Sequence, residues 1–253
     1  EFYPACPDAA ERAFRSLVAD ATEVVSSSAR LREVCGRGTV VGNGVDLGTF
    51  MGCSEGPLPA LIAESPIGDC TQMVAYAGSV DDRIDFDVLG ALAGALSDLK
   101  TRTGIVCIGR VFGGVREKTE ALARKYPDHI IFTGRVAYEE LPVYLSHATV
   151  GIAPFVLDER TRAINPNKLY MYAAMEQNIV STPFSADIRE HGDIIFIADD
   201  PESFASAVEQ ALDDNERRRA VRDRIAVPNS WNEKTLAFME VLARIASGGH
   251  GEE

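Results

Sequence analysis

The chain has 253 residues, of which 46% are hydrophobic and 25% are charged, a composition typical of a globular protein with a sizeable core. Its formal net charge of −13 argues against non-specific nucleic-acid binding, which requires clustered lysines and arginines. A phosphate ligand is compatible with that charge, because a phosphate site needs only a few local donors. No apolar run approaches the length of a membrane span, and the five cysteines lack a CxxC spacing, which is typical of reduced thiols in a cytosolic protein.

The first fifty residues differ in pattern from the rest of the chain. Helical spacing covers residues 10–19 and 29–34, and short strands are predicted at 23–26 and 39–41. This fragment is too short to be an independent nucleotide-binding unit. We therefore expect residues 1–50 to be the last βα pieces of another domain, and residues 51–71 to link them to the main domain.

From residue 72 onward, short apolar strands alternate with helical stretches. Strands are predicted at 73–77, 104–108, 130–132, 149–153, 178–181 and 194–197, and helices at 86–99, 116–125, 139–146, 167–175 and 186–190. Strands separated by helices imply parallel βαβ units, and near-continuous apolar strands are typical of a sheet covered on both faces. The sequence therefore predicts an α/β fold with a Rossmann-like doubly wound parallel sheet over residues 72–228.

Three further helices are predicted near the end of the chain, at residues 201–212, 216–225 and 233–246. Asp200 followed by Pro201 is a typical helix start. We expect residues 229–246 to pack back toward the N-terminal part. The polar, glycine-rich tail at 247–253 is predicted to be disordered.

Two loops that follow predicted strands are candidates for ligand contact, because doubly wound sheets bind ligands at the carboxyl ends of their strands. Gly78 and Ser79 follow the first strand, where a glycine lets the backbone approach a phosphate, and Arg83 adds a fork of donors. On this segment alone, the favoured interpretation is an ordinary loop whose Asp85 caps the next helix. Gly109 follows the second strand and could line a base pocket, although this loop alone indicates little.

The densest signal is the segment 154–174, in which a strand end runs into a polar loop and then a helix start. Asn165 is predicted to cap a helix whose first residue is Pro166. The free N–H groups of the first helical turn would form an anion site, to which Lys168 adds a full positive charge, with Arg160 and Arg162 close by. The alternative is a well-capped helix with a solvated lysine. The position of the helix, at the carboxyl end of a strand, favours the anion site.

Other chemistries have no support in the sequence. The four histidines lack metal-ligand spacing, and neither a Gly-x-Ser-x-Gly elbow nor a phosphate-binding P-loop is present. The loop 108–114 does not have the Gly-x-Gly-x-x-Gly spacing of a dehydrogenase. We therefore predict no metal site.

Several segments together resemble the GT-B glycosyltransferases of the GT4-like, group 1 family. They are residues 20–28, Asn43-Gly44-Val45-Asp46 with Phe50, residues 76–79, residues 132–134 with 141–145, residues 165–170 with 180–182, and residues 201–212 with Ser230 and Trp231. The resemblance covers nearly the whole chain. Asn-Gly-Val-Asp is moderately specific by itself, and the ordered set is highly specific.

The resemblance implies a two-domain fold in which the C-terminal domain binds a nucleotide-sugar donor in the cleft. This chain would be that domain together with the tail of the acceptor-side N-terminal domain. The residues implied at the diphosphate are Arg83, Asn167, Lys168, Leu169 and Tyr170, with Gly78 and Ser79 allowing the backbone to approach. The residues implied at the base and ribose are Gly109, Arg110, Arg135, Val136 and Met171.

Two departures from the family pattern affect these expectations. The family usually places two glutamates eight residues apart around this helix, the second of which binds the donor ribose, whereas this chain has Ala163 and Met171. A thioether cannot accept two hydroxyl hydrogen bonds as a carboxylate can. Glu176 stands where the family prefers glycine. Most of the family's N-terminal domain, with the acceptor site, has no counterpart in this sequence, so no catalytic residue is assigned.

The predicted function is sugar transfer from a nucleotide diphosphate sugar, with UDP as the favoured nucleotide, to a hydroxyl of a glycan or lipid-linked acceptor in polysaccharide or glycoconjugate synthesis. We expect no metal or other cofactor and no nucleic-acid partner. The expected location is the cytoplasm, with peripheral association at the inner face of a membrane left open. The missing half would come from an N-terminal domain or a partner subunit. The alternative is a non-catalytic or partner-dependent nucleotide-binding module derived from the GT-B fold.

Overall fold

The computed structural model describes residues 7–53, 56–99 and 101–247. The tail predicted to be disordered, apart from Ser247, lies outside these ranges. Within them, no helix combines the length and apolar character needed to cross a membrane.

The N-terminal fragment contains two helices and two short strands, close to the positions that the sequence predicts. They are α1 (Pro7–Asp20), β1 (Val25–Ser26), α2 (Ala29–Cys35) and β2 (Thr39–Val40). The two strands are parallel and form a sheet of their own. Two short helices follow: α3 (Leu47–Met51) at the end of the expected N-terminal remnant, and α4 (Ala60–Ala63) in the expected linker. Because Ile62 and Ile67 are fully buried there, this segment packs against the main domain as part of its core.

The main domain alternates strands and helices. In chain order its elements are β3 (Gln72–Ala77), α5 (Phe86–Asp98), β4 (Thr103–Ile108), α6 (Arg116–Lys125), β5 (Ile130–Gly134), α7 (Leu141–Ser146), β6 (Val150–Ala153), α8 (Glu159–Arg162), α9 (Asn167–Ala174), β7 (Asn178–Ser181), α10 (Ala186–Arg189), β8 (Phe196–Ile197), α11 (Pro201–Asp213), α12 (Arg217–Val221) and α13 (Trp231–Ala246). Asp85 and Asp200 cap α5 and α11 with their carboxylates, as predicted.

The six strands of the main domain form one sheet in the order β5-β4-β3-β6-β7-β8, and every neighbouring pair is parallel. Numbered within the domain, this is the 3-2-1-4-5-6 order of a doubly wound sheet, so the predicted fold class is confirmed. The chain reverses its winding direction between β3 and β6. In such sheets the ligand crevice opens at this switch point, beyond the carboxyl ends of the two strands.

A tyrosine of α9 holds β3 and β6 together where their pairing ends. The two strands pair only at Val74 with Val150 and at Ala75 with Gly151. Beyond that point the Tyr172 hydroxyl accepts a hydrogen bond from the Ala77 N–H at 2.7 Å and donates one to the Ile152 carbonyl at 3.2 Å. A Cβ on Gly151 would lie 2.3 Å from the Tyr172 ring, so the ring fits against β6 because this position is glycine. Tyr172 therefore joins the carboxyl ends of β3 and β6, where the crevice begins.

Some local features differ from the sequence expectations. The helix predicted at 216–225 is α12 followed by a π-helical turn at Arg222–Ala226. Glu176, just after α9, has a positive φ of 54°, which explains why glycine suits this position. Arg218 donates to its carbonyl at 2.7 Å and Arg222 pairs with its carboxylate. These contacts offset a backbone cost of about 1–2 kcal/mol for a left-handed residue with a side chain.

The last helix contacts the N-terminal part of the chain. Val45 donates to the Asn229 carbonyl at 3.0 Å, and Trp231 donates to the Val45 carbonyl at 3.0 Å. Further along α13, Arg244 donates to the Thr39 hydroxyl at 3.1 Å. The last helix and the residue before its cap therefore contact residues 39–45.

Candidate functional site

A buried lysine lies at the switch point of the sheet. Lys168, in the first turn of α9, is only 9% exposed. Its Nζ lies 4.0 Å from the ring centroid of Phe155 and 4.6 Å from that of Tyr76, and it donates to the Tyr76 hydroxyl at 3.5 Å. Since Tyr76 belongs to β3 and Phe155 lies two residues after the end of β6, the ammonium is held between the carboxyl ends of the two switch strands.

The ammonium of Lys168 has no anionic partner within the part of the chain that the structure describes: no carboxylate there comes within 4.0 Å of Nζ. Burial, reinforced by the Arg83 guanidinium, lowers the pKa of Lys168 to about 7, while Asp81 acts in the opposite direction. Cation–π contacts offset part of the burial cost, but a desolvated charge is normally paired. The site therefore has the electrostatics of an anion-binding position.

The start of α9 also has backbone donors without partners within the described ranges. Among the described residues, no acceptor is found for the amides of Asn167 and Lys168, and the side chain of Asn167 is exposed. The Leu169 amide donates to the Pro166 carbonyl at 3.1 Å. Two free amides and one buried ammonium thus belong to the first turn of an eight-residue helix, and the dipole at this end favours an anion.

The expectation that Asn165 caps α9 with Pro166 as its first residue is wrong. Pro166 occupies the capping position, without a side-chain cap, and α9 begins at Asn167. The Asn165 carboxamide instead accepts from the Asn43 amide at 2.8 Å and donates to the Tyr170 hydroxyl at 2.8 Å and to Asp187 at 3.0 Å. The side-chain oxygen of Asn165, which would have accepted a hydrogen bond from a helix amide, accepts one from the distant Asn43 amide.

The N-terminal fragment contacts the loop before α9 at further points. The Asn43 side chain donates to the Asn165 carbonyl at 2.7 Å, and the Ser28 hydroxyl donates to the Ala163 carbonyl at 2.8 Å. Arg30 lies 3.6 Å from Glu159. Residues 28–43 therefore fix the loop that leads into the start of α9.

Arg83, the second cation expected at the diphosphate, is already paired. Its Nε and Nη2 donate to the two carboxylate oxygens of Asp81 at 2.9 and 2.6 Å, and its guanidinium lies 5.6 Å from the Phe155 ring centroid. The Arg83 carbonyl accepts from the Val156 amide at 2.8 Å, which joins the loops after β3 and β6. The structure thus brings Arg83 to the site occupied by Lys168, in contact with a carboxylate.

The glycines after β3 and β4 allow the backbones of two loops to approach closely. Gly78 has φ +136°, and a Cβ there would lie 3.5 Å from Lys168 Nζ. Gly109 has φ +151°, and its Cβ would lie 1.9 Å from the Gly78 carbonyl oxygen. The Ser79 carbonyl accepts from the Tyr76 hydroxyl at 2.7 Å. Gly78, Ser79 and Gly109 are therefore grouped beside the lysine.

The residues expected at the base lie further along the same edge of the sheet. Arg110 is exposed and lies 4.9 Å above the ring of Phe112, which is 41% exposed. Gly109 donates to the Gly134 carbonyl at 2.9 Å, which places Arg135 and Val136 next to this loop. No contact joins these side chains to Lys168 among the described residues.

Other expected residues have different surroundings. Met171, one turn after Lys168, is 9% exposed. Tyr170 is buried, with its pKa raised to about 12, and its hydroxyl accepts from Asn165. Arg160 pairs with Asp82 and Asp158 at the surface. No group of three potential metal ligands occurs in the described ranges.

Several residues that shape the site had no predicted role in it: Tyr76, Phe155, Asp81, Asn43 and Asp187. Tyr76 and Phe155 are each 1% exposed, so they are also core residues and give no separate signal. The two consecutive acids at 81 and 82 were visible beside Arg83, but their partners depend on the fold.

The stability of the chain should depend on pH through Lys168. Because its pKa in the folded chain is about 7 against 10.5 for an unperturbed lysine, the unfolded chain binds more protons between these values. Below pH 7 both states are protonated and the full cost of burying the charge is present. A Lys168→Met variant should therefore be more stable than the natural chain at pH 6, and the difference should shrink by about 2 kcal/mol at pH 9. Urea unfolding at both pH values measures it, and a pH-independent difference would contradict the burial of a charge.

Comparison with known proteins identifies the family. Residues 71–214, more than half of the chain, match the sequence profile of glycosyl transferases group 1. The chain belongs to this family. The match begins one residue before β3 and covers the sheet, α9 and the lysine site. No curated protein sequence matches the chain.

Solved structures share the fold at low sequence identity. A sucrose-phosphate synthase from Thermosynechococcus elongatus has a TM-score of 0.71 at 17% identity and covers 98% of this chain. An E. coli trehalose-6-phosphate protein bound with UDP-2-fluoro glucose has 0.74 at 15% and covers 95%, and Anabaena HepE in complex with UDP and glucose has 0.70 at 13% and covers 92%. The chain spans 65%, 64% and 66% of these three proteins. These likenesses confirm the expected GT-B fold.

Proposed function

We propose that this chain is the donor-binding portion of a glycosyltransferase and that it binds the diphosphate of a nucleotide diphosphate sugar at Lys168. The observation that carries the proposal is the buried ammonium of Lys168, held by two aromatic rings at the switch point without a carboxylate partner in the described chain. A dianionic diphosphate supplies the missing charge. The free amides of Asn167 and Lys168 supply donors to the same group.

The proposed chemistry is transfer of a glycosyl group to a hydroxyl. The bond between the anomeric carbon and the diphosphate oxygen breaks, a bond to the acceptor oxygen forms, and the acceptor gives up its proton. Negative charge develops on the departing diphosphate. Fixed donors aimed at that charge lower the barrier, since they need no reorganisation during the reaction. Lys168, Arg83 and the first-turn amides of α9 are the proposed donors.

A uridine nucleotide is the proposed donor base. Two of the similar structures hold UDP or a UDP-sugar analogue, which supports this choice. The base would lie beyond Gly109 and Arg110, toward Arg135 and Val136, and the ribose beside Met171. Because Met171 offers no carboxylate to the ribose hydroxyls, affinity would depend mainly on the diphosphate.

A second domain is proposed to supply the acceptor site. Residues 1–50 would belong to that domain, residues 51–71 would be the link, residues 72–228 the donor domain, and residues 229–246 the helix that returns to the N-terminal part. In support, the sheet formed by β1 and β2 has only two parallel strands, and parallel sheets are normally larger and covered on both faces. The proposed acceptor is a glycan or a lipid-linked sugar in polysaccharide or glycoconjugate synthesis.

A non-catalytic, partner-dependent nucleotide-binding module is the second candidate. The pairing of Arg83 with Asp81 and the thioether at Met171 favour it, because both reduce the donors available to a nucleotide. Transfer of sugar by the chain, alone or joined to an acceptor-side domain, would exclude this reading. Nucleotide binding without transfer by either form would support it.

Calorimetric titration with UDP, GDP and NAD tests the proposal. We expect at least one nucleoside diphosphate to bind and NAD to bind more weakly, because Lys168 and the helix start favour a terminal diphosphate with more charge. The absence of binding by either nucleoside diphosphate would refute the donor site. Turnover of a UDP-sugar by this chain alone would instead refute the need for a second domain.

A further inference from the structure

The carboxylate of Asp81 is paired with Arg83, the second cation of the proposed donor site. Asp81 receives two hydrogen bonds from the Arg83 guanidinium, at 2.9 and 2.6 Å, and a third from the Arg83 amide at 3.1 Å. The side chains of Asp81 and Arg83 are 18% and 36% exposed. This is a bidentate, partly desolvated pair, the geometry in which arginine binds carboxylate or phosphate most strongly.

The same carboxylate also acts on Lys168. Asp81 raises the pKa of Lys168, whereas Arg83 and burial lower it, and Lys168 in turn helps to lower the pKa of Asp81. Asp81 therefore pairs with one cation, Arg83, and acts on the ammonium of Lys168 only through space, without direct contact. The neighbouring Asp82 makes no hydrogen bond to Arg83: it is exposed, pairs with Arg160 at 2.7 Å and raises the pKa of Arg83 less than Asp81 does.

We propose that Asp81 is an internal competitor of the donor's diphosphate at Arg83. This rests on the proposed function, since it assumes that the diphosphate binds at Lys168 and Arg83. A phosphate and a carboxylate use the same fork of guanidinium N–H groups. When the diphosphate binds, it replaces Asp81 as the acceptor of these N–H groups. When the nucleoside diphosphate product leaves, the hydrogen bonds between Arg83 and Asp81 form again.

Asp81 would weaken binding of the diphosphate in either of two ways. If Asp81 leaves Arg83, the bidentate pair of Asp81 with Arg83 must be broken before the phosphate can form its own bidentate pair with Arg83. If Asp81 stays, its negative charge lies close to the phosphates and repels them. In both cases the nucleoside diphosphate product is released faster, and product release often limits turnover. The carboxylate would thus set how tightly the site holds its product.

A matched pair of variants tests this inference. Asp81→Asn and Asp82→Asn each remove one negative charge from adjacent residues, but only the first removes a carboxylate that is paired directly with Arg83. UDP affinity should be measured at pH 6, below the Lys168 pKa of about 7, because losing Asp81 would lower that pKa further. We expect Asp81→Asn to bind UDP about tenfold more tightly and to release it more slowly, and Asp82→Asn to stay within about twofold of the natural chain.

Several outcomes would separate the inference from the proposed function. If the natural chain binds UDP and Asp81→Asn binds it equally or more weakly, Asp81 is not a competitor, although the donor site stands. If the natural chain does not bind any nucleoside diphosphate, the donor site itself is refuted. Should Asp81→Asn fold poorly by thermal unfolding, Asp81→Ser keeps an acceptor for the Arg83 amide and replaces it. In an Arg83→Ala background the gain from Asp81→Asn should shrink, and an undiminished gain would contradict the exchange.

Discussion

Replacing Lys168 by alanine is expected to weaken UDP binding by about 100-fold, since losing a charge-assisted contact in a desolvated site costs about 1.5–3 kcal/mol. The expectation follows from its surroundings. The ammonium is 9% exposed, contacts two aromatic rings and has no carboxylate partner in the described chain. A surface lysine at a helix start would lose far less, because water screens it.

The control for this prediction is Arg160→Ala. Arg160 is also a cation between β6 and α9, but it is exposed and paired with Asp82 and Asp158. Its removal should leave UDP affinity almost unchanged. UDP binding that survives Lys168→Ala with an equal affinity would show that the diphosphate lies elsewhere. A loss of equal size in both variants would indicate general electrostatic attraction.

The pH dependence of binding gives an independent check on Lys168→Ala. The pKa of Lys168 is about 7 in the unliganded chain, and a phosphate ligand stabilises the protonated amine. Binding should therefore weaken as the pH rises through 7 and beyond, and proton uptake should accompany it. The alanine variant should lack this trend over the same range, since its remaining cationic donors are arginines.

The parallel sheet and the position of Lys168 at its edge could be predicted from the sequence for a physical reason. Alternating apolar strands and helices leave few arrangements for a parallel sheet, and the helix starting near residue 167 had to begin at a strand's carboxyl end. Once that geometry is accepted, Lys168 faces the crevice. These inferences depend on local periodicity and chain order, which a single sequence contains.

The partners of individual side chains could not be predicted from the sequence in the same way. Asn165 has the ideal residue type for a helix cap, yet its carboxamide is taken by Asn43, Tyr170 and Asp187. Asp81 and Asp82 are chemically identical neighbours, but one pairs with Arg83 and the other with Arg160. Such choices depend on distances between loops that are far apart in sequence. Capping and charge rules describe a residue's options, and tertiary contacts select among them.

The loops that follow β3 and β4 approach each other closely, so a substitution at Gly109 is expected to have a large effect on stability. In Gly109→Ala, the new Cβ would lie 1.9 Å from the Gly78 carbonyl oxygen, at a backbone φ of +151°. Neither problem can be relieved by a side-chain rotation, because the obstacle is backbone and Gly78 is hydrogen-bonded to the Ile108 carbonyl at 2.9 Å. We expect a loss of about 3 kcal/mol or more in the free energy of unfolding, measured in urea.

Gly113→Ala is the matched control, since Gly113 lies in the same loop, has no positive φ and has nothing within 4 Å of its Cβ position. That variant should be neutral or more stable by about 0.4–1 kcal/mol, because alanine restricts the unfolded chain. Gly109→Ala should also weaken UDP binding in whatever fraction still folds, because moving Gly78 displaces the backbone next to Lys168 Nζ. Equal unfolding free energies for the two variants would show that the loops do not need this contact. In that case the hydrogen bonds of the loop, such as those from the Ala77 amide to Tyr172 and from the Gly78 amide to Ile108, would suffice to hold the backbone that borders the lysine.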